Sequence, residues 1–287
     1  MLLCLSFSCP PRFPFNLLRN LALNLCVAPY VLILDVDFVP YPIGRAYELL
    51  AALVGSSSAS SAKDHRPRVF VLPAFEMLTR RHSSPDKRTI RALVAAGKAV
   101  PFGDARGTRE AWEPAHACTQ TGRWLNSSRT FDVQHCDPFY EPYVLLAREH
   151  APPFDESFRG RGFDKVSFVY ELFARGLHFS VAPEVFVLHV PHDGGATRAT
   201  TKNCSEASVA AARSSGAHTD EDVQAVLRNP GETCVTAFLD RMREAHGYIP
   251  SPRAHRTFRR TAFSRGWTCL AQLERIAPRP RVWDCSS

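Results

Sequence analysis

An α/β domain is predicted by two patterns in the sequence and by how they alternate. Short apolar runs at 30–34, 69–72, 143–146 and 185–190, the last interrupted only by His189, have the composition of buried strands. Around them lie stretches whose apolar residues recur every three to four positions, at 16–27, 43–54 and 164–175. Strands that alternate with helices argue for helices packed on a sheet, and against an all-helical or all-β chain. The 287 residues, 45% hydrophobic and 22% charged, suffice for a sizeable core and exclude a collagenous, coiled-coil or wholly disordered protein.

The first helix is expected over 16–27, with Leu17, Leu18, Leu21, Ala22 and Leu25 on one face and Pro14 and Asn16 as start signals. The strand at 30–34 follows and ends in Asp35-Val36-Asp37. A second helix is expected over 43–54, then a Ser-rich loop from Gly55 to Ala62 that contributes nothing to the core. The strand at 69–72 is read as stopped by Pro73. Between 79 and 133 the pattern weakens to polar helix and loop, anchored by Trp112, Trp124 and Phe131. After the strand at 143–146, residues 164–175 give the clearest helix. Val166, Phe168, Val169, Leu172 and Phe173 form its apolar face, Asp164 caps its start and Gly176 ends it. The strand at 185–190 is closed by Pro191, and two further helices are expected at 221–227 and 234–246.

Charge and cysteine content narrow the setting. Residues 251–287 hold eight Arg against Glu274 and Asp284, so this tail carries six of the seven net positive charges. It reads as a solvated end, and nucleic acid is not an expected partner. The nine cysteines form no C-x-x-C pair, which excludes zinc-ribbon and thioredoxin spacings. Together with two sequons, Asn126-Ser127-Ser128 and Asn203-Cys204-Ser205, they lean toward a secretory lumen. Cys118 and Cys136 flank the first sequon and can pair. No run of roughly 18 apolar residues spans a membrane, and 1–9 is a poor signal peptide.

The sharpest chemical feature is the pair Asp35 and Asp37 at the end of an apolar strand, where ligands of open α/β sheets gather. In an extended segment both side chains point the same way. Like charges held so close need a cation or a shared proton, and Mg²⁺ or Mn²⁺ bridging to a diphosphate fits oxygen ligands. The bland alternative is a turn whose aspartates bond the local backbone.

The blocks Asn16-Leu17-Leu18-Arg19-Asn20, Tyr30 to Phe38 and Val69 to Glu76 resemble those of glycosyltransferase family 49, which includes LARGE-type and β-1,4-glucuronyltransferase enzymes. Tyr140 to Val144, Phe154 to Phe158, Gly160 to Lys165, Glu171-Leu172 and Phe186 to His192 continue the match in order. The resemblance implies a GT-A fold, Rossmann-related, with Mn²⁺ (or Mg²⁺), a UDP-sugar donor and a glycan or glycoprotein acceptor. It implies inverting transfer of glucuronic acid or a similar sugar in the Golgi lumen. By position, Asp35, Asp37 and His189 are the expected metal ligands, His189 being preferred over His192 because it lies on the strand. An inverting transfer needs a carboxylate base. Asp164 is the first choice, at a helix start after a glycine-bearing loop, and Asp155, Glu156 and Glu171 stay in play. Asn16, Arg19, Asn20, Trp124, Glu141 and Lys165 are expected to touch substrate. The chain divides into an unassigned leader 1–15, a GT-A-like domain 16–202, a helical continuation 203–249 and a basic tail 250–287. Family members carry further sequence and a type II membrane anchor ahead of the first block, so the domain is expected to be truncated at its N-terminus.

Two rival classes remain. Asp35 and Asp37 also fit the nucleophile and acid/base of a haloacid-dehalogenase-like phosphatase, although no later strand ends in the acidic pair such an enzyme needs. A non-catalytic carbohydrate-binding pseudoenzyme is the other.

Overall fold

The computed structural model describes residues 14–59, 66–78, 85–102, 116–133, 140–158, 164–190 and 230–247. The leader up to residue 13, Trp112, Cys136, the loop at 160–163, His192, Asn203, the helix expected at 221–227 and the basic tail lie outside these residues. Two compact units divide the chain, and each draws on segments distant in sequence. One comprises 25–152 and 169–192, the other 1–24, 153–168 and 193–287. The expected segment 16–202 contributes to both.

The larger set of described elements belongs to the first of these units. Its strands are β1 (Tyr30–Ile33), β2 (Phe38–Tyr41), β3 (Arg68–Leu72), β4 (Ala74–Met77), β5 (Ala99–Pro101), β6 (Phe131–Asp132), β7 (Tyr143–Ala147), β8 (His178–Val181) and β9 (Phe186–His189). A five-stranded sheet has the order β1-β7-β3-β8-β6, antiparallel except for the parallel β3–β8 pair. A four-stranded sheet has the order β2-β9-β4-β5, with β9 and β4 parallel. This is an α/β architecture with two mixed sheets.

The first of the strands read as buried lies at an edge of its sheet. β1 pairs only with β7, and of its residues only Val31 is buried, while Tyr30 and Leu32 pack partly against the core. β3 holds the centre, with Val69, Phe70, Val71 and Leu72 all at most 2% exposed. An edge strand can be as apolar as a central one when neighbouring layers cover its faces, so composition alone does not rank the two. The core joins Phe38, Phe70, Leu72, Tyr143, Leu145 and Val187, and helix α2 (Ala46–Ala59) lays Leu49, Leu50 and Leu53 against it.

α2 runs into the stretch read as a Ser-rich loop. Ser56 Oγ bonds back to the Leu53 carbonyl at 2.9 Å, the local bond that lets a serine sit inside a helix. Two short helices, α3 (Lys87–Ala95) and α4 (Thr121–Asn126), order part of the weakly patterned region. Asp86 starts α3 by accepting the Thr89 amide at 2.7 Å.

The second unit is built from α1 (Phe15–Leu25, as far as Asn24), the segment 153–158, the start of α5 (Asp164–Ala174) and α6 (Pro230–His246). Here α1 turns its expected face outward: Leu17, Leu18 and Leu21 are 40–51% exposed, whereas Asn16, Asn20 and Leu23 are buried. The amides prevail because they find backbone partners on 154–155, and a buried polar group so satisfied costs little. Phe154 stacks on Phe168 at 4.1 Å, and Phe158 meets Phe238 of α6 edge-on. Among the described residues no helix is long and apolar enough to cross a membrane.

Candidate active site

Asp35-Val36-Asp37 forms the link between β1 of one sheet and β2 of the other. The Phe38 amide donates to the Asp35 carbonyl at 3.1 Å, closing a β-turn whose exposed tip is Val36. The carboxylates therefore project from a turn and not from the extended segment expected. The Val190 amide donates to the Asp37 carbonyl at 2.7 Å and fixes the turn to the end of β9.

His189 lies on β9 between two partner strands. In the registers it stands opposite Phe38 on β2 and opposite Glu76 on β4. Its imidazole is 9% exposed by residue, with Nε2 3.4 Å from Asp37 Oδ2 and Nδ1 3.6 Å from Glu76 Oε1. The rings of Phe38 and Phe102 flank it at 5.2 and 5.3 Å. On the other side of the turn the Tyr143 hydroxyl donates to Asp35 Oδ2 at 3.2 Å, and His116 stacks on the Tyr143 ring. Burial, then the charge of Asp35 and its hydrogen bond, then Asp37 and Glu141, push the Tyr143 phenol far above its ordinary value. Tyr143 thus stays a protonated donor and steadies the Asp35 carboxylate.

The donors suit a hard divalent ion: two carboxylates and an imidazole. The 3.4 Å between His189 Nε2 and Asp37 Oδ2 is close to the roughly 3 Å edge of an octahedron with bonds of about 2.1 Å. Among the described residues, however, no three such side chains are gathered tightly enough to hold an ion as they stand.

A second carboxylate cluster belongs to the unit built around α1 and α6. Arg19 Nη1 bridges Asp164 Oδ2 at 2.7 Å and the Asn16 side-chain oxygen at 2.9 Å, while its guanidinium lies 5.2 Å over Phe154. Asp164 is 6% exposed at the first position of α5. Asp155 is held on both oxygens, Oδ1 by the Ser157 amide and hydroxyl and Oδ2 by Arg241 of α6. Glu156 accepts from Asn20.

Several residues expected to touch substrate make hydrogen bonds within the protein. The Asn16 amide donates to the Asp155 carbonyl, and Asn20 exchanges bonds with both backbone groups of Phe154. Trp124 is 0% exposed; its Nε1 donates to the Ala182 carbonyl, it packs on Phe75 and Phe186, and Lys87 covers its ring at 4.3 Å. An indole buried in this way presents no face to a sugar. Glu171 of α5 pairs with Arg175, just past the end of the helix. Glu141 and Lys165 are half-buried.

Sequence reasoning missed Glu76 and Tyr143. Reading Pro73 as the end of a strand hid β4, which resumes at Ala74 and delivers Glu76 beside His189. The alternation Phe75-Glu76-Met77 after the proline was the available signal.

Residues 10–218 match the model of a family described as glycosyl-transferase for dystroglycan. Among relatives, xylosyl- and glucuronyltransferase LARGE2 of Mus musculus is 36% identical over 183 residues, covering 63% of this chain and 25% of that protein. LARGE1 of the same species is 31% identical over 181 residues, 63% and 22% of the two chains. Glycosyltransferase-like protein gnt14 of Dictyostelium discoideum is 30% identical over 182 residues, 63% and 27% of the two chains. The chain spans about a quarter of the length of the curated relatives it matches.

Proposed function

Since the chain belongs to this family of glycosyl-transferases, we propose that it transfers a sugar, glucuronic acid or a similar one, from a UDP-sugar to a glycan or glycoprotein acceptor with inversion. The observation that carries the reading is the Asp35–Asp37 turn with His189 beside it. Asp35, Asp37 and His189 are the side chains that would hold Mn²⁺ or Mg²⁺. Such an ion supplies positive charge to the departing diphosphate.

The protein's own groups have separable tasks. Tyr143 restrains Asp35, and the Val190–Asp37 backbone bond keeps the turn in place. Asp164 is the assigned base: it takes the acceptor hydroxyl proton as the new glycosidic bond forms and UDP leaves with the bonding electrons. All four carboxylates have partners: Asp164 is held by Arg19, Asp155 by Ser157 and Arg241, Glu171 by Arg175, and Glu156 accepts from Asn20, so Asp164 is preferred for its place at the helix start and the other three are the alternatives. Arg19 fixes the Asp164 side chain rather than the donor in this reading.

The Golgi lumen, with membrane attachment through an anchor as in the resembling family, is the compartment we assign. Cys118 is disulfide-bonded, which suits an oxidising compartment, and Asn126 of the first sequon is exposed on α4.

Incubation with UDP-glucuronic acid or UDP-xylose and Mn²⁺ tests the activity. Release of UDP that rises on adding a xylose- or glucuronate-terminated acceptor is expected. Phosphate release from a phosphomonoester would instead favour the phosphatase chemistry, and sugar binding with neither product the non-catalytic reading.

A further inference from the structure

His189 is bracketed by two carboxylates, and only one of them comes from the Asp-x-Asp turn. The parallel pairing of β4 with β9 puts Glu76 directly opposite His189, on the side of the ring away from Asp37. Glu76 is itself well shielded, its side chain 20% exposed, so its carboxylate is held near the imidazole rather than spread into solvent. A neutral imidazole carries one N–H and one lone pair, and the hydrogen bond made by one nitrogen decides which nitrogen is left to bind a metal. Carboxylates that accept from the far nitrogen of a ligating histidine fix both its tautomer and its ring orientation.

We propose that Glu76 is a positioning residue: it accepts the Nδ1–H of His189 and thereby turns the Nε2 lone pair toward Asp37, where a divalent cation is held. The inference rests on the cation reading given above. Glu76 Oε1 stands 3.6 Å from His189 Nδ1, beyond hydrogen-bond length as the side chains stand, so the pair has to close for the bond to form. The rings of Phe38 and Phe102 pack against the imidazole, tilted at 41° and 52° to it, while Asp37 and Glu76 stand beside its two nitrogens. With Nδ1–H facing Glu76, Nε2 and Asp37 Oδ2 are two acceptors 3.4 Å apart, an arrangement that a shared cation stabilises.

Direct Mn²⁺ titration of the full chain, by calorimetry and by loss of the free-ion paramagnetic signal, tests the proposal without an activity assay. Glu76→Ala should weaken Mn²⁺ binding by roughly 10–100-fold, the usual effect of removing such a partner. Glu76→Gln, whose side-chain oxygen still accepts from Nδ1–H, should stay within a few-fold of the wild type. Nitrogen-resolved NMR of the metal-free wild type should show His189 as the Nδ1–H tautomer. Unaltered Mn²⁺ affinity in Glu76→Ala overturns the proposal, as does the Nε2–H tautomer in the wild type, which needs no variant to fold. A wild-type chain that binds no Mn²⁺ overturns the cation reading itself, a distinct result.

Discussion

Asp164 and Arg19 form an ion pair that is only 9% and 20% exposed by side chain, so each is costly to leave alone. Arg19→Met should lower stability by about 3 kcal/mol by stranding the buried carboxylate, read as a fall in denaturant midpoint. Asp164→Asn keeps the shape and removes the base, so turnover should drop by roughly 10²–10⁴ while donor binding persists. Full activity in that variant would return Asp164 to a purely structural role. Trp124 gives the opposite contrast. Trp124→Ala should cost about 3–5 kcal/mol as a core truncation, and Trp124→Phe, which keeps an aromatic in the core, should leave sugar affinity unchanged. A selective loss of sugar binding in Trp124→Phe at full stability would restore the expected substrate contact. Asp35 and Asp37 were read from local pattern as paired carboxylates at a strand end, and His189 was named through the resemblance; the structure has His189 Nε2 3.4 Å from Asp37 Oδ2. The buried state of Asn16, Asn20 and Trp124 was not. It depends on the carbonyls of Asp155, Phe154 and Ala182, which are far away in sequence.

At the level of elements, α5 was read almost to the residue because several local signals agree. Its apolar positions face the core, and Gly176 adopts φ +78° so that the amides of Gly176 and Leu177 reach the carbonyls of Phe173 and Leu172. Gly176→Ala should destabilise by about 1–2 kcal/mol from that left-handed backbone alone, since a Cβ there meets nothing within 4 Å. A melting temperature equal to the wild type would refute this account of the helix end. The strands β2, β4, β5, β6 and β8 escaped sequence reading. β2 contains Pro40, β4 follows Pro73 directly, and β8 mixes His178 and Ser180 with apolar residues. Ser180 Oγ and His178 Nε2 both reach Asp132 Oδ1 across the β6–β8 pair, which is why polar residues sit comfortably there. Burial raises the Asp132 carboxyl, but the hydrogen bonds from His178 and Ser180 outweigh it and leave it below its ordinary value. The folded state therefore gains stability from Asp132 above about pH 4, and loses it as pH falls through the depressed folded value. Asp132→Asn should flatten the acid limb of the stability curve, measured by denaturant unfolding between about pH 2 and 5. An unchanged limb would show that the pair contributes nothing.

For the molecule as a whole, the α/β class and the family were both readable from ordered blocks between Asn16 and His192, and the family model matches 10–218. The division into two compact units was not readable, because each unit is assembled from separated stretches and no linker composition marks the crossings at 24–25, 152–153, 168–169 and 192–193. The central claim is that the turn at Asp35–Asp37 with His189 is a divalent-cation site serving a nucleotide diphosphate. Calorimetric titration of the full chain with UDP, with and without Mn²⁺, in the wild type, Asp35→Asn and Asp37→Asn, tests it most directly. The account predicts UDP binding that requires Mn²⁺ in the wild type and is lost in both variants. UDP binding that is independent of Mn²⁺, or that survives unchanged in both variants, would contradict it.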